Sequence, residues 1–206
     1  MPAAKPADKI DLFKLHKDEY ASPKKPKIIE TKPAQYLSIS GTGSPQDAAF
    51  ETAMEALYGC AYKLKFQSKS EGRDYTVCKL EGFWSGWNTD LLPNEQDKSN
   101  WKWQLIIRTP DFITSEHLKA TQQLLLEKGK DPACKKVKLV QLHEGKCVQM
   151  LHIGPYDQEM QTIETMHAHA AEQNLKPHGK HHEIYLSDPR KVEPAKLKTI
   201  LRHPVK

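Results

Sequence analysis

The feature that most restricts the fold of this chain is the similarity of its two halves, each of which predicts a strand, a helix and two further strands. In the first half, residues 35–40 alternate as a strand does and end at a glycine-rich turn. A helix is predicted after Ser44-Pro45, because proline suits the first turn of a helix. Strands are then predicted over residues 75–80 and 102–108.

The second half repeats this order. Its predicted elements are strands over residues 137–142 and 147–153, a helix from residue 154, and strands over 182–186 and 199–202. The first two of these strands are typical of a hairpin across the turn-like residues 143–146. A helix over residues 114–128, with Thr114 or Ser115 as its N-cap, is predicted between the halves.

Two copies of such a module predict an α+β fold with an antiparallel sheet and a pseudo-twofold axis. Module one covers about residues 27–112 and module two about 132–206. We expect the helices to cover one side of each sheet and the uncovered faces to meet in a central ligand groove, where small-molecule sites commonly form. Residues 1–26 are predicted to be a disordered or short helical segment, capped at Asp11 and ending in a linker, ahead of one domain over residues 27–206.

Composition restricts the class of protein. With 38% hydrophobic residues among 206, the chain can bury a core. The sequence contains no apolar run as long as the ~20 residues that a membrane span needs. Residues 1–20 also lack the apolar core of a signal peptide. The net charge is +5, but the basic residues are spread out and match no nucleic-acid motif. We therefore expect a cytoplasmic protein that contacts neither membranes nor nucleic acid directly.

Cysteines and histidines offer little support for a metal site. The four cysteines lie far apart without a C-x-x-C pair, so reduced structural thiols are expected. Among the ten histidines, only His181 with His178 or with Glu183 could chelate together, which falls short of the three ligands of a catalytic zinc. Phosphate loops and the common hydrolase motifs are also missing. We therefore predict no metal and no organic cofactor.

Residues 181–189 form the most informative segment, because they predict a strand with one carboxylate between apolar and aromatic neighbours. Glu183 and Tyr185 share a face of this strand, roughly 6–7 Å apart. The carboxylate is either a surface group on a half-wet sheet or the one charge in an aromatic pocket. Strand alternation alone leaves both interpretations open.

All four tryptophans of the chain lie close together in the sequence, at Trp84, Trp87, Trp101 and Trp103. They form either an ordinary core cluster or an aromatic wall for a flat ligand, because aromatic rings offer a large contact area. Glycines flank the first two rings as flexible points. Both interpretations remain open on the sequence.

Two residues of the second half, His152 and Tyr156, have two interpretations each. Met150 and His152 share one strand face, and His152 is either a hydrogen-bonded structural histidine or part of a site. Tyr156 follows Gly154-Pro155 at the predicted start of a helix. Its ring either packs there or presents its hydroxyl group to the groove.

The chain resembles the GyrI-like small-molecule-binding family, in its free-standing form without a DNA-binding domain. The resemblance covers about residues 8–205 and includes Tyr36 to Pro45 and Leu80 to Trp84. The most specific matching pieces are His152-Ile153-Gly154-Pro155-Tyr156 and the segment from His181 to Pro189, continuing from Lys198 to Val205. The chain departs from its relatives at residues 83–87, where they often have adjacent tryptophans.

This resemblance implies a function as well as a fold. Family members bind amphipathic, often cationic, aromatic drugs around a buried glutamate, and the matching position is Glu183. Some free-standing members resemble hydrolases of cyclopropane-bearing, DNA-alkylating natural products, which implies protection against such genotoxins. The residues that we expect to bind substrate are Trp84, Trp87, Trp101, Trp103, Met150, His152, Tyr185 and Phe112.

A mechanism follows for a flat ligand whose strained cyclopropane is conjugated to a carbonyl group. Glu183 would act as the general base for water, because a poorly solvated carboxylate has a raised pKa. Tyr156, with Tyr185 as the other choice, would donate a hydrogen bond to the developing phenolate. The alternatives are a multidrug-sequestering module, the effector-binding domain of a transcription regulator, or a protein-interaction role; the sequence leaves a homodimer open.

Overall fold

The structure, a computed structural model, describes residues 9–85 and 98–206. Its helices are α1 (Leu12–Leu15), α2 (Ala48–Ser70), α3 (Ser115–Glu127) and α4 (Met160–Glu172). Its strands are β1 (Lys27–Glu30), β2 (Ala34–Thr42), β3 (Leu80–Ser85), β4 (Lys102–Arg108), β5 (Lys138–Leu142), β6 (Lys146–Ile153), β7 (His181–Tyr185) and β8 (Lys198–Pro204). Within the described ranges, no helix combines the length and the apolar character that a membrane span needs.

The strands form one antiparallel sheet in the order β1-β6-β8-β7-β3-β4-β2-β5. The order β6-β8-β7 on one side of the centre corresponds to β2-β4-β3 on the other, so each half supplies the same three-strand unit. The predicted α+β fold with an antiparallel sheet is therefore confirmed. The helix predicted between the halves is also confirmed as α3, whose N-cap Thr114 accepts a hydrogen bond from the backbone N–H of His117.

The predicted hairpin between residues 137–142 and 147–153 is wrong. Strand β5 pairs with β2, whereas β6 pairs with β1 and β8. Only residues 143–145 connect β5 to β6, a link that spans about 14 Å at most. In a flat sheet these strands would be six spacings apart, or roughly 29 Å. The sheet must therefore curve until its two ends approach each other.

The second predicted strand of the first half is also misplaced. We expected residues 75–80 in the sheet, but β3 begins at Leu80 and continues to Ser85. Residues 75 and 76 pair instead with the N-terminal segment, where the Thr76 backbone N–H donates to the Ile10 carbonyl oxygen at 2.7 Å. The prediction of an extended conformation near residue 75 agrees with this pairing, but the segment that pairs with it lies outside the sheet.

Both long helices of the modules, α2 and α4, lie on the same face of the sheet. Directly opposed residues of antiparallel strands share a face, and one such row crosses the sheet. The row runs Ile39–Leu105–Gly82–Glu183–Leu201–Met150. Ile39 packs in the cluster of α2, and Leu201 packs in the cluster of α4. Gly82 and Glu183 therefore lie at the centre of the sheet, on its helix-bearing face between the positions of α2 and α4.

The opposite face is covered in part by the N-terminal segment. The Tyr20 hydroxyl donates to Glu81 at 2.8 Å, and the backbone N–H of Leu151 donates to Pro23 O at 2.8 Å. Helix α1 begins after Asp11, whose carboxylate accepts from the Lys14 backbone N–H, as predicted for a cap. The disorder expected at the extreme N-terminus concerns residues 1–8, outside the described residues.

A charged cluster is buried beneath this segment. His182 lies between two carboxylates, 3.1 Å from Glu81 and 2.9 Å from Glu144. Arg202 donates to the same Glu144 oxygen at 2.9 Å. Burial disfavours charge on Glu144, but His182 and Arg202 outweigh it and lower its pKa to about 2. The cluster holds β7, β8 and the 143–145 connection together.

Candidate functional site

The site begins with Gly82, which faces Glu183 directly across the β3–β7 pair. A Cβ atom at position 82 would lie 2.9 Å from the Tyr185 hydroxyl and 3.1 Å from the Trp84 indole nitrogen. Because glycine leaves this space free, the Trp84 Nε1–H donates to the Tyr185 hydroxyl at 3.1 Å. Gly82 therefore provides the room in which these two polar groups meet beside Glu183.

Glu183 is a carboxylate in a nearly closed environment. Its side chain is 13% exposed, and burial raises its pKa to about 7. Hydrogen bonding by Tyr185 and the positive potential of His182 oppose this rise. The group is thus divided between its acid and carboxylate forms near neutral pH. The sequence allowed Glu183 to be either a surface group or the one charge in an aromatic pocket. Its surroundings correspond to the second interpretation.

A second carboxyl group, that of Glu159, lies beside Glu183, and Glu159 was not among the residues expected at the site. Glu159 is 5% exposed at the start of α4. Burial, together with the nearby Glu183, raises its pKa well above the ordinary value. The two groups come together only because α4 packs over β6 and β8, so no local motif could have revealed the pair.

His181 completes the polar group, with its Nε2 atom 3.6 Å from Glu183 Oε1. Burial lowers its pKa well below the usual value, so the ring is neutral at pH 7. Donor atoms of Glu159, His181 and Glu183 lie within 4.8 Å of one another, a spacing that could hold a metal ion. Of these three, only His181 and Glu183 are expected from the sequence to chelate together. A proton shared between the two carboxyl groups would allow them to lie this close equally well.

Two tyrosines lie at the edge of this group. Tyr156 is 39% exposed, and its ring meets that of Tyr185 edge-on at 5.9 Å. Burial, followed by the nearby Glu183, raises the pKa of Tyr156 to about 12. Its hydroxyl group therefore remains protonated at neutral pH and is able to donate a hydrogen bond.

Aromatic rings extend from the site along β3 and β4. Trp84 stacks on Phe50 of α2 with ring centroids 5.8 Å apart, and Trp101 meets Trp84 edge-on at 5.7 Å. Trp103 contacts the same Phe50 at 5.2 Å. The structure thus brings three of the four tryptophans together beside Phe50 of α2. Trp87 lies outside the described residues.

The remaining predicted residues have contacts of their own. Both ring nitrogens of His152 have partners, Thr162 Oγ1 at 2.9 Å and the Pro155 carbonyl oxygen at 3.2 Å. His152 therefore supports the turn that carries Tyr156. Met150 packs in the cluster under α4. Phe112 contacts Tyr75 at 6.0 Å between ring centroids, in the core beside α2.

Replacing Trp84 with phenylalanine should weaken ligand binding about fivefold, the value of one neutral hydrogen bond. Phenylalanine retains an aromatic ring but loses the N–H that orients the Tyr185 hydroxyl. Isothermal titration with a lipophilic aromatic cation measures the change. Trp103→Phe is the matched control, because Trp103 Nε1 has no hydrogen-bond partner among the described residues. Equal losses in both variants would contradict a role for the Trp84 N–H.

Comparisons with known proteins agree with this geometry. A family model described as the GyrI-like small molecule binding domain matches residues 24–206. An uncharacterized conserved protein from Listeria innocua superimposes with a TM-score of 0.90 at 38% identity, over 96% of this chain and 100% of that chain. A hydrolase from the same organism superimposes with a TM-score of 0.88 at 39% identity, over 97% of this chain and 100% of that chain. None of the curated proteins matches the chain.

A more distant likeness concerns the fold alone. The C-terminal domain of EcmrR superimposes with a TM-score of 0.54 at 12% identity, over 88% of this chain and 97% of that chain.

Proposed function

This chain belongs to the GyrI-like small-molecule-binding domain family, and on that premise we propose that it binds flat, amphipathic aromatic molecules and hydrolyses those that carry a cyclopropane conjugated to a carbonyl group. The observation that carries the proposal is Glu183, a carboxylate with a pKa of about 7 beside Trp84 and Tyr185. The description of a 39% identical Listeria protein as a hydrolase supports catalysis over binding alone. Opening the ring removes the alkylating group, which would protect the cell from such genotoxins.

The reaction adds one water molecule. Glu183 removes a proton from water while the water oxygen forms a bond to the ring CH₂ carbon. The cyclopropane C–C bond breaks, and its electron pair moves through the conjugated system to the carbonyl oxygen, which becomes a phenolate. Tyr156 donates a hydrogen bond to that oxygen as charge develops. The phenolate then takes up the proton held by Glu183, which restores the carboxylate.

The surroundings suit each group to its role. A general base works best when its pKa lies near the working pH, and burial raises the pKa of Glu183 to about 7. The same burial raises the pKa of Tyr156 to about 12, so this residue remains a donor. The aromatic rings of Trp84 and Phe50 would hold the ligand body and exclude bulk water. All these steps are performed by side chains of the chain itself.

The rate of hydrolysis should rise with pH through about 7, where Glu183 ionises. Only the carboxylate accepts a proton from water, so the rate is low below this pKa and reaches a plateau above it. At pH 5 the rate should be roughly a hundredfold below the plateau, because a single group is then about 1% ionised. Initial rates from pH 5 to 9, corrected for spontaneous ring opening, test this. A flat profile would exclude Glu183 as the base.

Sequestration without chemistry is the second candidate function. Glu183 and Asp188 act electrostatically on Tyr156, so negative charge lies near this ring. A lipophilic cation would be attracted by this charge and by the aromatic faces. Mass spectrometry of a cyclopropane-bearing alkylator incubated with the protein separates the two functions. A product heavier by one water supports hydrolysis, whereas intact bound drug supports sequestration.

A further inference from the structure

Glu159 has unusual surroundings for a buried acid. It follows the short 3-10 turn Tyr156–Gln158 at the start of α4 and is 5% exposed. The titratable groups around it are His181, Glu183 and Tyr185 on β7 and Tyr156 on its own turn; β8 contributes the neutral Thr199 hydroxyl. None of the lysines or arginines among the described residues forms an ion pair with it. A negative charge on Glu159 would therefore have no cation to balance it.

This environment requires a proton between the two acids. The Glu159 Oε1 atom is buried and has no hydrogen-bond donor among the described residues. An uncompensated buried charge is costly, and two facing carboxylates repel each other. Of the pair, Glu183 is the more exposed, and it receives the stabilising hydrogen bonding of Tyr185. The proton accordingly stays on Glu159, and the charge resides on Glu183.

We propose that Glu159 is a positioning residue whose protonated carboxyl group donates a hydrogen bond to the Glu183 carboxylate and holds it toward the attacking water. This inference rests on the proposed function, because Glu183 is the general base of that reaction. Glu159 touches neither substrate nor water in this scheme. Its effect passes through the orientation and the proton affinity of Glu183.

Two substitutions separate this role from simple packing. Glu159→Leu fills the space but removes the donor, so kcat should fall roughly 10–100-fold, the effect of a lost charge-assisted hydrogen bond, with KM unchanged. Glu159→Gln retains an N–H donor and should restore most of that loss. Glu164→Leu, an exposed change on the same helix, should leave kcat at the wild-type value. Equal losses in Glu159→Gln and Glu159→Leu would overturn the proposal.

A measurement without substrate keeps this test independent of the proposed reaction. Carbon-13 NMR of labelled glutamate carboxyl groups, assigned with Glu183→Gln, reports the pKa of Glu183 directly. Loss of the donated hydrogen bond in Glu159→Leu should raise this pKa, and Glu159→Gln should leave it close to wild type. A lower pKa in Glu159→Leu would show that Glu159 is ionised and would overturn the proposal, whether or not hydrolysis occurs.

A chelator experiment addresses the other ligand that these residues could share. The protein is dialysed against EDTA, and both the NMR titration and the rate are measured again. Unchanged values support a shared proton. Loss of activity that zinc restores would assign Glu159, His181 and Glu183 to a metal and would overturn the proposal.

Discussion

Replacing Glu183 with glutamine is expected to slow hydrolysis by roughly 10²–10⁴-fold, the usual contribution of a general base. Glutamine has nearly the same shape but cannot accept a proton from water. Binding of a neutral aromatic ligand should change little, because the surrounding rings remain in place. Single-turnover kinetics with a cyclopropane-bearing alkylator measures the rate, and titration with its ring-opened product measures binding.

The control for this substitution is Glu172→Gln, which changes an exposed glutamate in the last turn of α4. It removes the same charge from the protein but lies far from the aromatic groups, so the rate should be that of the wild type. Near-normal turnover by Glu183→Gln would refute the assignment of the base. Loss of both turnover and binding would instead show that Glu183 supports the structure of the pocket.

Replacing Arg202 with methionine is expected to lower the free energy of unfolding by about 3–5 kcal/mol, the cost of leaving a buried charge without its partner. Arg202 is 2% exposed and donates to Gln149 at 2.7 Å, to Glu144 at 2.9 Å and to the Glu19 carbonyl oxygen. Methionine fills much of the space but leaves the Glu144 carboxylate with only His182. Urea unfolding followed by tryptophan fluorescence measures the loss.

Two further variants identify the cause of this destabilisation. Lys198→Met removes an exposed cation from the same strand, and its effect should stay below about 0.5 kcal/mol. Adding Glu144→Gln to Arg202→Met removes the stranded charge and should recover part of the stability. If the double variant is as unstable as the sum of the single variants, packing rather than charge is responsible.

Part of the candidate site could be predicted from the sequence because it depends on local periodicity. The alternation of residues 181–185 places Glu183 and Tyr185 on one face of a strand, and β7 confirms that strand. The clustering of the tryptophans is likewise visible in the sequence, although Trp87 lies outside the described residues. His152 and Phe112 show the limit of such predictions, since the structure gives His152 two hydrogen-bond partners and packs Phe112 against Tyr75.

The sequence by itself determined the strand-helix-strand-strand order of the two halves, because propensity and alternation act within a few residues. Only the tertiary structure decided which strands pair, since register depends on partners that are distant in the chain. That pairing placed β5 at one edge of a curved sheet and β6 next to the other edge, and it set Gly82 against Glu183. It also brought Glu159 to Glu183. Because a pKa depends on burial and on nearby charges, the proton shared by these two acids is a property of the folded chain alone.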